Sequence, residues 1–192
     1  MKIIETPMEG LLVVEPRVFS DDRGFFLETY QRDRYVEAGI TDHFVQDNLS
    51  RSKKGVLRGL HFQVNRPQSQ LVSVVRGSVF DVVVDVRPAS VTFGHWYGIE
   101  LSDLNARQLY MAPGFAHGFC VLSDWADFKY KVDRKYDHGD EGGLVWNDPD
   151  VNIKWPVKDL QIIARDAAFP MLKSIPKTEL PQNPPLEKTH GK

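Results

Sequence analysis

Apolar and polar residues alternate with a period of two along most of the chain, the spacing of a pleated strand whose successive side chains face opposite ways. The clearest case is Ser-Val-Phe-Asp-Val-Val-Val-Asp-Val over 78–86, in which Phe80, Val82, Val84 and Val86 form an unbroken apolar row. It predicts a strand. Gln70-Leu71-Val72-Ser73-Val74-Val75 just before it is a second β-rich run, and Arg76-Gly77-Ser78 between the two predicts a hairpin turn. Further strands are predicted over 11–15, 24–30, 93–101, 107–111, 118–122 and 127–132, separated by Gly, Pro, Asn and Asp. Many short strands at such spacing indicate an all-β sandwich or barrel.

Helix is scarce. The best candidate is Arg32-Asp33-Arg34-Tyr35-Val36-Glu37-Ala38, with Gly39 placed to cap it. Pro170, Pro176, Pro181, Pro184 and Pro185 crowd the end of the chain. The division this predicts is a single domain over 1–170 and a proline-rich tail over 171–192, draped or mobile rather than folded by itself.

With 192 residues and 42% hydrophobic content, the chain has enough apolar surface for one sizeable core. The formal net charge of -2, with acids and bases interspersed, leaves neither a basic stripe for nucleic acid nor a polybasic anchor for a membrane. Any anion bound must be met by a few placed arginines. No stretch approaches the ~20 apolar residues of a membrane span, and Met1-Lys2-Ile3-Ile4-Glu5 lacks the apolar run of a signal peptide. The single cysteine, Cys120, lies in an apolar run and reads as a buried reduced thiol. A reducing cytoplasm is the expected location.

Three blocks carry candidate chemistry. Gly55-Val-Leu-Arg58-Gly-Leu-His61-Phe-Gln63 combines a guanidinium suited to phosphate, two glycines that permit close approach, and an imidazole able to take a proton near neutral pH. A lone strand histidine is more often a satisfied structural group, and this block alone does not decide between the two. Met111-Ala-Pro-Gly-Phe-Ala-His117-Gly-Phe119 places a second histidine just after a Pro-Gly turn. Asp127-Phe-Lys-Tyr130-Lys-Val132 continues through Tyr136 to Glu141-Gly-Gly-Leu-Val-Trp-Asn-Asp-Pro149.

Those blocks, with Asp21-Asp-Arg23-Gly-Phe-Phe26-Leu-Glu28 and Phe44-Val-Gln46-Asp-Asn48, occur in the order seen in the dTDP-4-dehydrorhamnose 3,5-epimerases, and the chain resembles that family from about residue 3 to 170. The resemblance implies a cupin-type double-stranded β-helix, or jelly roll, with a few short helices. It also implies a homodimer in which amino-terminal arms are exchanged, so that arm residues serve the partner's site. The implied reaction inverts carbons 3 and 5 of a dTDP-4-keto-6-deoxyhexose, turning dTDP-4-dehydro-6-deoxyglucose into dTDP-4-dehydrorhamnose. Both carbons are α to the ketone, so a base on one face, an acid on the other and a donor for the enolate oxygen suffice, without metal or redox cofactor.

By the same resemblance His61 is the base, Tyr130 the acid and Asp166 the carboxylate that orients the imidazole. His117 is a second pocket histidine, paired with Asp81 unless that aspartate lies on a solvated strand face. Arg23 and Arg58 meet the diphosphate, Phe26 stacks, Glu28, Gln46 and Asn48 take the nucleoside end, and Tyr136 and Glu141 border the sugar. Gln70 stands where the family has a lysine after the base histidine, Ser73 where a second cation is common, and Arg165 keeps the charge of a lysine often found before the aspartate. The substituted lysine leaves open an enzyme that inverts one carbon only. Two other classes remain: a metal-dependent cupin enzyme, for which the local His-x-His pattern is missing at His61-Phe62-Gln63, and a non-catalytic sugar-nucleotide binding module, which has no need of His61 and Tyr130 together.

Overall fold

The computed structural model describes residues 1–181; residues 182–192, with Pro184 and Pro185 of the expected tail, lie outside the described residues. In chain order the elements are β1 (Lys2–Glu5), β2 (Leu11–Glu15), β3 (Val18–Asp21), β4 (Gly24–Leu27), α1 (Arg32–Glu37), β5 (Gln46–Lys53), β6 (Leu57–Gln63), β7 (Gln70–Arg76) and β8 (Ser78–Asp85). They continue with β9 (Trp96–Ser102), β10 (Gln108–Met111), β11 (Phe115–Val121), β12 (Trp125–Val132), β13 (Glu141–Gly143) and α2 (Ala164–Ala167). Six strands form one sheet in the order β1-β2-β10-β7-β12-β5, five form another in the order β13-β6-β11-β8-β9, and β3 and β4 pair only with each other. The two large sheets face one another as a jelly roll, the all-β architecture expected from the strand pattern and the resemblance.

Both sheets feed the core between them: Leu11, Val13, Val72, Val74, Leu109, Met111 and Phe128 from one, Val79, Val83, Leu101, Phe119 and Val121 from the other. Tyr35 of α1 joins this cluster, and its hydroxyl donates to Gln108 Oε1 at 2.7 Å. The helix begins where Gln31 Oε1 accepts from the Arg34 amide and ends before Gly39, whose φ of +89° supplies the left-handed turn.

The alternating run at 78–86 is indeed a strand, but its polar row does not face water. Asp81 and Asp85 are fully buried, and β8 lies between β11 and β9 with both faces covered. Its outer row, Val82 and Val84 with Val86 beyond, packs in a second cluster with Leu144, Val151, Leu172, Ile175 and Leu180. Three of those residues come from the segment read as a tail, so 171–180 is a packed cover rather than a draped extension. Leu172 is further tied by its amide, which donates to the buried Asp148 carboxylate at 2.7 Å. Each such buried aliphatic side chain contributes about 1.5–3 kcal/mol of transfer free energy, enough to hold down a short proline-punctuated segment that forms two single 3₁₀ turns, Leu172–Ser174 and Lys177–Glu179.

The turn at Arg76-Gly77-Ser78 is also different from the expectation. β7 and β8 belong to opposite sheets and do not pair, so the turn is a corner and not a hairpin. Gly77 has φ +79°, and a Cβ there would lie 2.1 Å from the Trp125 carbonyl oxygen, so the chain can cross between layers only with glycine at this point. Val74 and Val79, on either side of the corner, consequently belong to the same buried cluster. β5 escaped prediction because it is a polar edge strand, Gln-Asp-Asn-Leu-Ser-Arg-Ser-Lys, held by its full-length register with β12 rather than by an apolar face. The remaining predicted strands shift by a few residues at their ends, as frayed termini do.

Candidate active site

The site lies between the sheets and begins with two glycines. A Cβ on Gly59 would sit 2.6 Å from the Gly118 Cα, and one on Gly118 would sit 2.7 Å from the Arg58 carbonyl oxygen. Their bare backbones let β6 and β11 approach, with a register shift between His117 and Phe119, and His61 and His117 become direct cross-strand partners. Both imidazoles line one cavity of about 340 Å³, a volume in the range of small-molecule sites.

His61 is backed by Asp166, which α2 brings in from the far end of the chain. Nε2 of His61 lies 3.0 Å from Asp166 Oδ1, and the aspartate side chain is 2% exposed. The Gly59 amide donates to Oδ2 of the same carboxylate at 3.2 Å, and Arg165 Nε donates to Oδ1 at 3.0 Å. Burial alone would raise this carboxyl's pKa, but the hydrogen bonds from His61, Gly59 and Arg165 together hold it below the usual carboxylate range. An ionised carboxylate only accepts, so the imidazole hydrogen sits on Nε2 and Nδ1 keeps its lone pair. The Arg165 Nη2 nitrogen, 3.1 Å from the same Nε2, sets its charge beside the ring. Phe169 packs edge-on against the other side of the imidazole at 5.6 Å between centroids.

Tyr130 comes from the opposite wall. It is on β12 of the six-stranded sheet, whereas His61 is on β6 of the five-stranded one, and both line the cavity. Burial raises the Tyr130 phenol above its ordinary pKa, with Glu141 adding to the rise and Arg58 opposing it. The phenol therefore carries its proton at neutral pH and can give one to a carbanion or enolate.

Gln46 and Asn48 of β5 line the same cavity, joined by a 2.9 Å hydrogen bond. Gln70 at the start of β7 lines it too, presenting a neutral amide, as does Arg58, whose Nε donates to Ser52 Oγ at 3.0 Å. At the rim, Arg165 Nη1 donates to Glu141 Oε2 at 2.6 Å and the Tyr136 hydroxyl donates to that oxygen at 2.9 Å. His117 Nε2 lies 3.0 and 3.1 Å from the two oxygens of Asp81, and its ring stacks on Phe128 at 5.9 Å between centroids. Asp81 is fully buried, which removes the solvated-face alternative.

Arg23, Phe26 and Glu28 are not brought to this cavity. Arg23 pairs with Asp21 at 2.6 Å on the exposed β3–β4 ribbon, Phe26 is 70% exposed, and Glu28 pairs with Arg34 at 3.2 Å. The sequence pattern also missed Ser50, Pro67, Gln68 and Phe169 around the site, none of which carries a local signal of chemistry. Among the described residues no group of three or more His, Cys, Asp or Glu side chains converges as a metal-binding set, and no helix is long and apolar enough to cross a membrane. Burial pushes the Cys120 thiol up to about 11, the mark of an unreactive core cysteine.

A family model described as dTDP-4-dehydrorhamnose 3,5-epimerase matches residues 5–174. The chain belongs to the dTDP-4-dehydrorhamnose 3,5-epimerase family. It is 48% identical over 182 residues to the dTDP-4-dehydrorhamnose 3,5-epimerase of Salmonella typhimurium, covering 93% of this chain and 100% of that one. A crystal structure of dTDP-6-deoxy-D-glucose-3,5-epimerase from Legionella pneumophila Philadelphia 1, in complex with dTDP-4-keto-L-rhamnose, superposes with a TM-score of 0.92 at 49% identity, covering 95% of this chain and 98% of that one. The dTDP-4-dehydrorhamnose 3,5-epimerase of Bacillus anthracis str. Ames, crystallised with TDP and PPi bound, gives 0.86 at 44% identity over 88% of this chain and 98% of its own. Curated relatives of this family are isomerases that act as epimerases, built on the cupin-type jelly roll seen here.

Proposed function

We propose that this protein epimerises a dTDP-4-keto-6-deoxyhexose at carbons 3 and 5, converting dTDP-4-dehydro-6-deoxyglucose to dTDP-4-dehydrorhamnose through an enolate. The observation that carries the reading is an Asp166-backed imidazole and a protonated phenol entering one cavity from opposite sheets, in a chain of this family. His61 takes the proton from one face of the sugar and Tyr130 returns one to the other, which inverts the carbon between them. Arg58 serves the diphosphate, Gln46 and Asn48 the nucleoside, and Tyr136, Glu141, Arg165 and His117 surround the sugar. Gln70 offers the enolate oxygen an amide hydrogen bond in place of a cation, a weaker source of charge stabilisation. The residue set calls on no metal or redox cofactor.

The active form is proposed to be a homodimer in which Arg23, Phe26 and Glu28 reach the partner's cavity. Support comes from the ribbon that carries them, which exposes Phe19, Phe25 and Phe26 on one protomer. Sedimentation showing a monomer at micromolar concentration would overturn this assembly. A cytoplasmic location fits the lone buried cysteine.

The reaction is tested by incubating the 4-keto sugar nucleotide with the protein in deuterated water. Deuterium is expected at carbons 3 and 5; exchange at carbon 3 or 5 alone would make it a mono-epimerase, and exchange at neither would overturn the assignment.

A further inference from the structure

Each inversion leaves His61 with one proton too many and Tyr130 with one too few, and the two groups stand on opposite walls with the sugar between them. Before a second carbon can be inverted, the imidazole must lose its proton while the substrate fills the cavity. Asp166 offers no exit, because it is buried and its oxygens are taken by His61, Arg165 and the Gly59 amide. Arg165 holds only donors and cannot accept a proton.

A third side of the ring is different. His61 Nδ1 lies 3.9 Å from Glu141 Oε1, one small rotation or one bridging water away from a hydrogen bond. Glu141 Oε2 accepts from the Tyr136 hydroxyl at 2.9 Å, and that hydroxyl oxygen is 3.2 Å from Nδ1 of His138. His138 is exposed, on the 3₁₀ turn at His138–Asp140 that precedes β13. Once that first 3.9 Å step is closed, the series is hydrogen-bonded from Glu141 through Tyr136 to His138 at the surface, and each member can both accept and release a proton.

We infer that Glu141, Tyr136 and His138 form a proton exit that resets His61 between the two inversions. The inference rests on the epimerase reading above. The His61 Nδ1–H bond breaks as the Glu141 Oε1–H bond forms, leaving a neutral imidazole and a neutral carboxylic acid. The carboxyl group then turns to bring that hydrogen to the Tyr136 oxygen, and the phenol hydrogen turns from Glu141 toward His138. The Glu141 O–H bond breaks as the new Tyr136 O–H bond forms, the original phenol hydrogen moves to Nδ1 of a neutral His138, and His138 gives up the proton on Nε2 to water. One proton leaves His61 and one reaches solvent, so charge and atoms balance.

The test compares the full-length protein with His138→Ala in weakly buffered solution, with and without added imidazole. His138→Ala is expected to slow double epimerisation by about threefold or more with KM little changed, and free imidazole to restore the rate by taking the proton directly from Tyr136. Tyr136→Phe, which keeps the ring and loses the hydroxyl, is expected to show a slowing that imidazole also relieves, here by taking the proton from Glu141 in place of the missing hydroxyl. A His138→Ala rate equal to wild type in weak buffer, or a slowing that imidazole does not relieve, would overturn the exit. Failure of the wild type itself to exchange deuterium at either carbon would instead bring down the epimerase reading, and the exit with it.

Discussion

Two histidine–aspartate pairs stand side by side in the cavity, yet they are built in different ways. His117 and Asp81 lie on adjacent strands of one sheet, the aspartate is fully buried, and Phe128 stacks on the ring. His61 and Asp166 are separated by most of the chain, and the imidazole is more open, 28% exposed in its side chain against 10% for His117. The His61 ring also touches Arg165 and approaches Glu141, so it faces charged groups on several sides. One pair is sheet architecture that happens to line a pocket; the other is an imidazole with a free nitrogen and somewhere to send a proton. In the proposed reading, identical residue types become a prop or a base according to what surrounds them.

The sharpest way to break that contrast is to remove each ring in turn. His61→Asn is expected to cut turnover by about 10³-fold or more while dTDP affinity stays within about tenfold, roughly 1.4 kcal/mol; product formation and calorimetric titration read the two. If His117→Asn proves equally damaging to turnover, the distinction between the pairs fails. Tyr130→Phe should come next, at about 10²-fold in turnover, since it removes only the returning proton.

The aspartates are expected to separate by a different measurement. Asp81→Asn should lower stability by about 1–3 kcal/mol, because a buried hydrogen-bonded acceptor is disturbed, and a thermal melt should show it as about 2–4 °C per kcal/mol. Asp166→Asn should instead act mainly on kcat. An Asp81→Asn protein that melts as the wild type does would remove the structural role assigned to that pair.

The smallest expected effect is on pH dependence. Burial works against Asp166, but its hydrogen bonds hold the folded carboxyl below its ordinary value, so the native state binds fewer protons than the unfolded one. That contribution to stability is complete above the unfolded carboxyl value near 3.9 and disappears as pH falls through the lowered folded value. Asp166→Asn should therefore flatten the acid limb of stability against pH below about pH 4. Denaturant titrations showing the same acid limb in both proteins would contradict it.

Much of the site was readable because its parts are local in sequence. Arg58 and His61 share one strand, Tyr130 lies in an alternating run, and the ordered blocks around them matched a family pattern. Asp166 had no such context: a short segment after the last strand looks like any surface turn until α2 docks it behind His61. The same holds for 171–180, where prolines suggested a loose tail but three spaced aliphatic residues found an apolar sheet face to cover. Arg23, Phe26 and Glu28 show the reverse, a matched motif that one folded chain leaves away from its own cavity.

The chain's own pattern determined that this is an all-β protein, since period-two alternation and frequent turn residues allow little else, and it determined which imidazole, phenol and guanidinium were available. Tertiary structure decided which strands face each other, because a corner at Gly77 and a hairpin there look alike in sequence and differ only in what the next strand packs against. It also decided which carboxylate stands behind which histidine. Hydrogen bonds act over about 3 Å, and only folding brings residues a hundred positions apart within that reach.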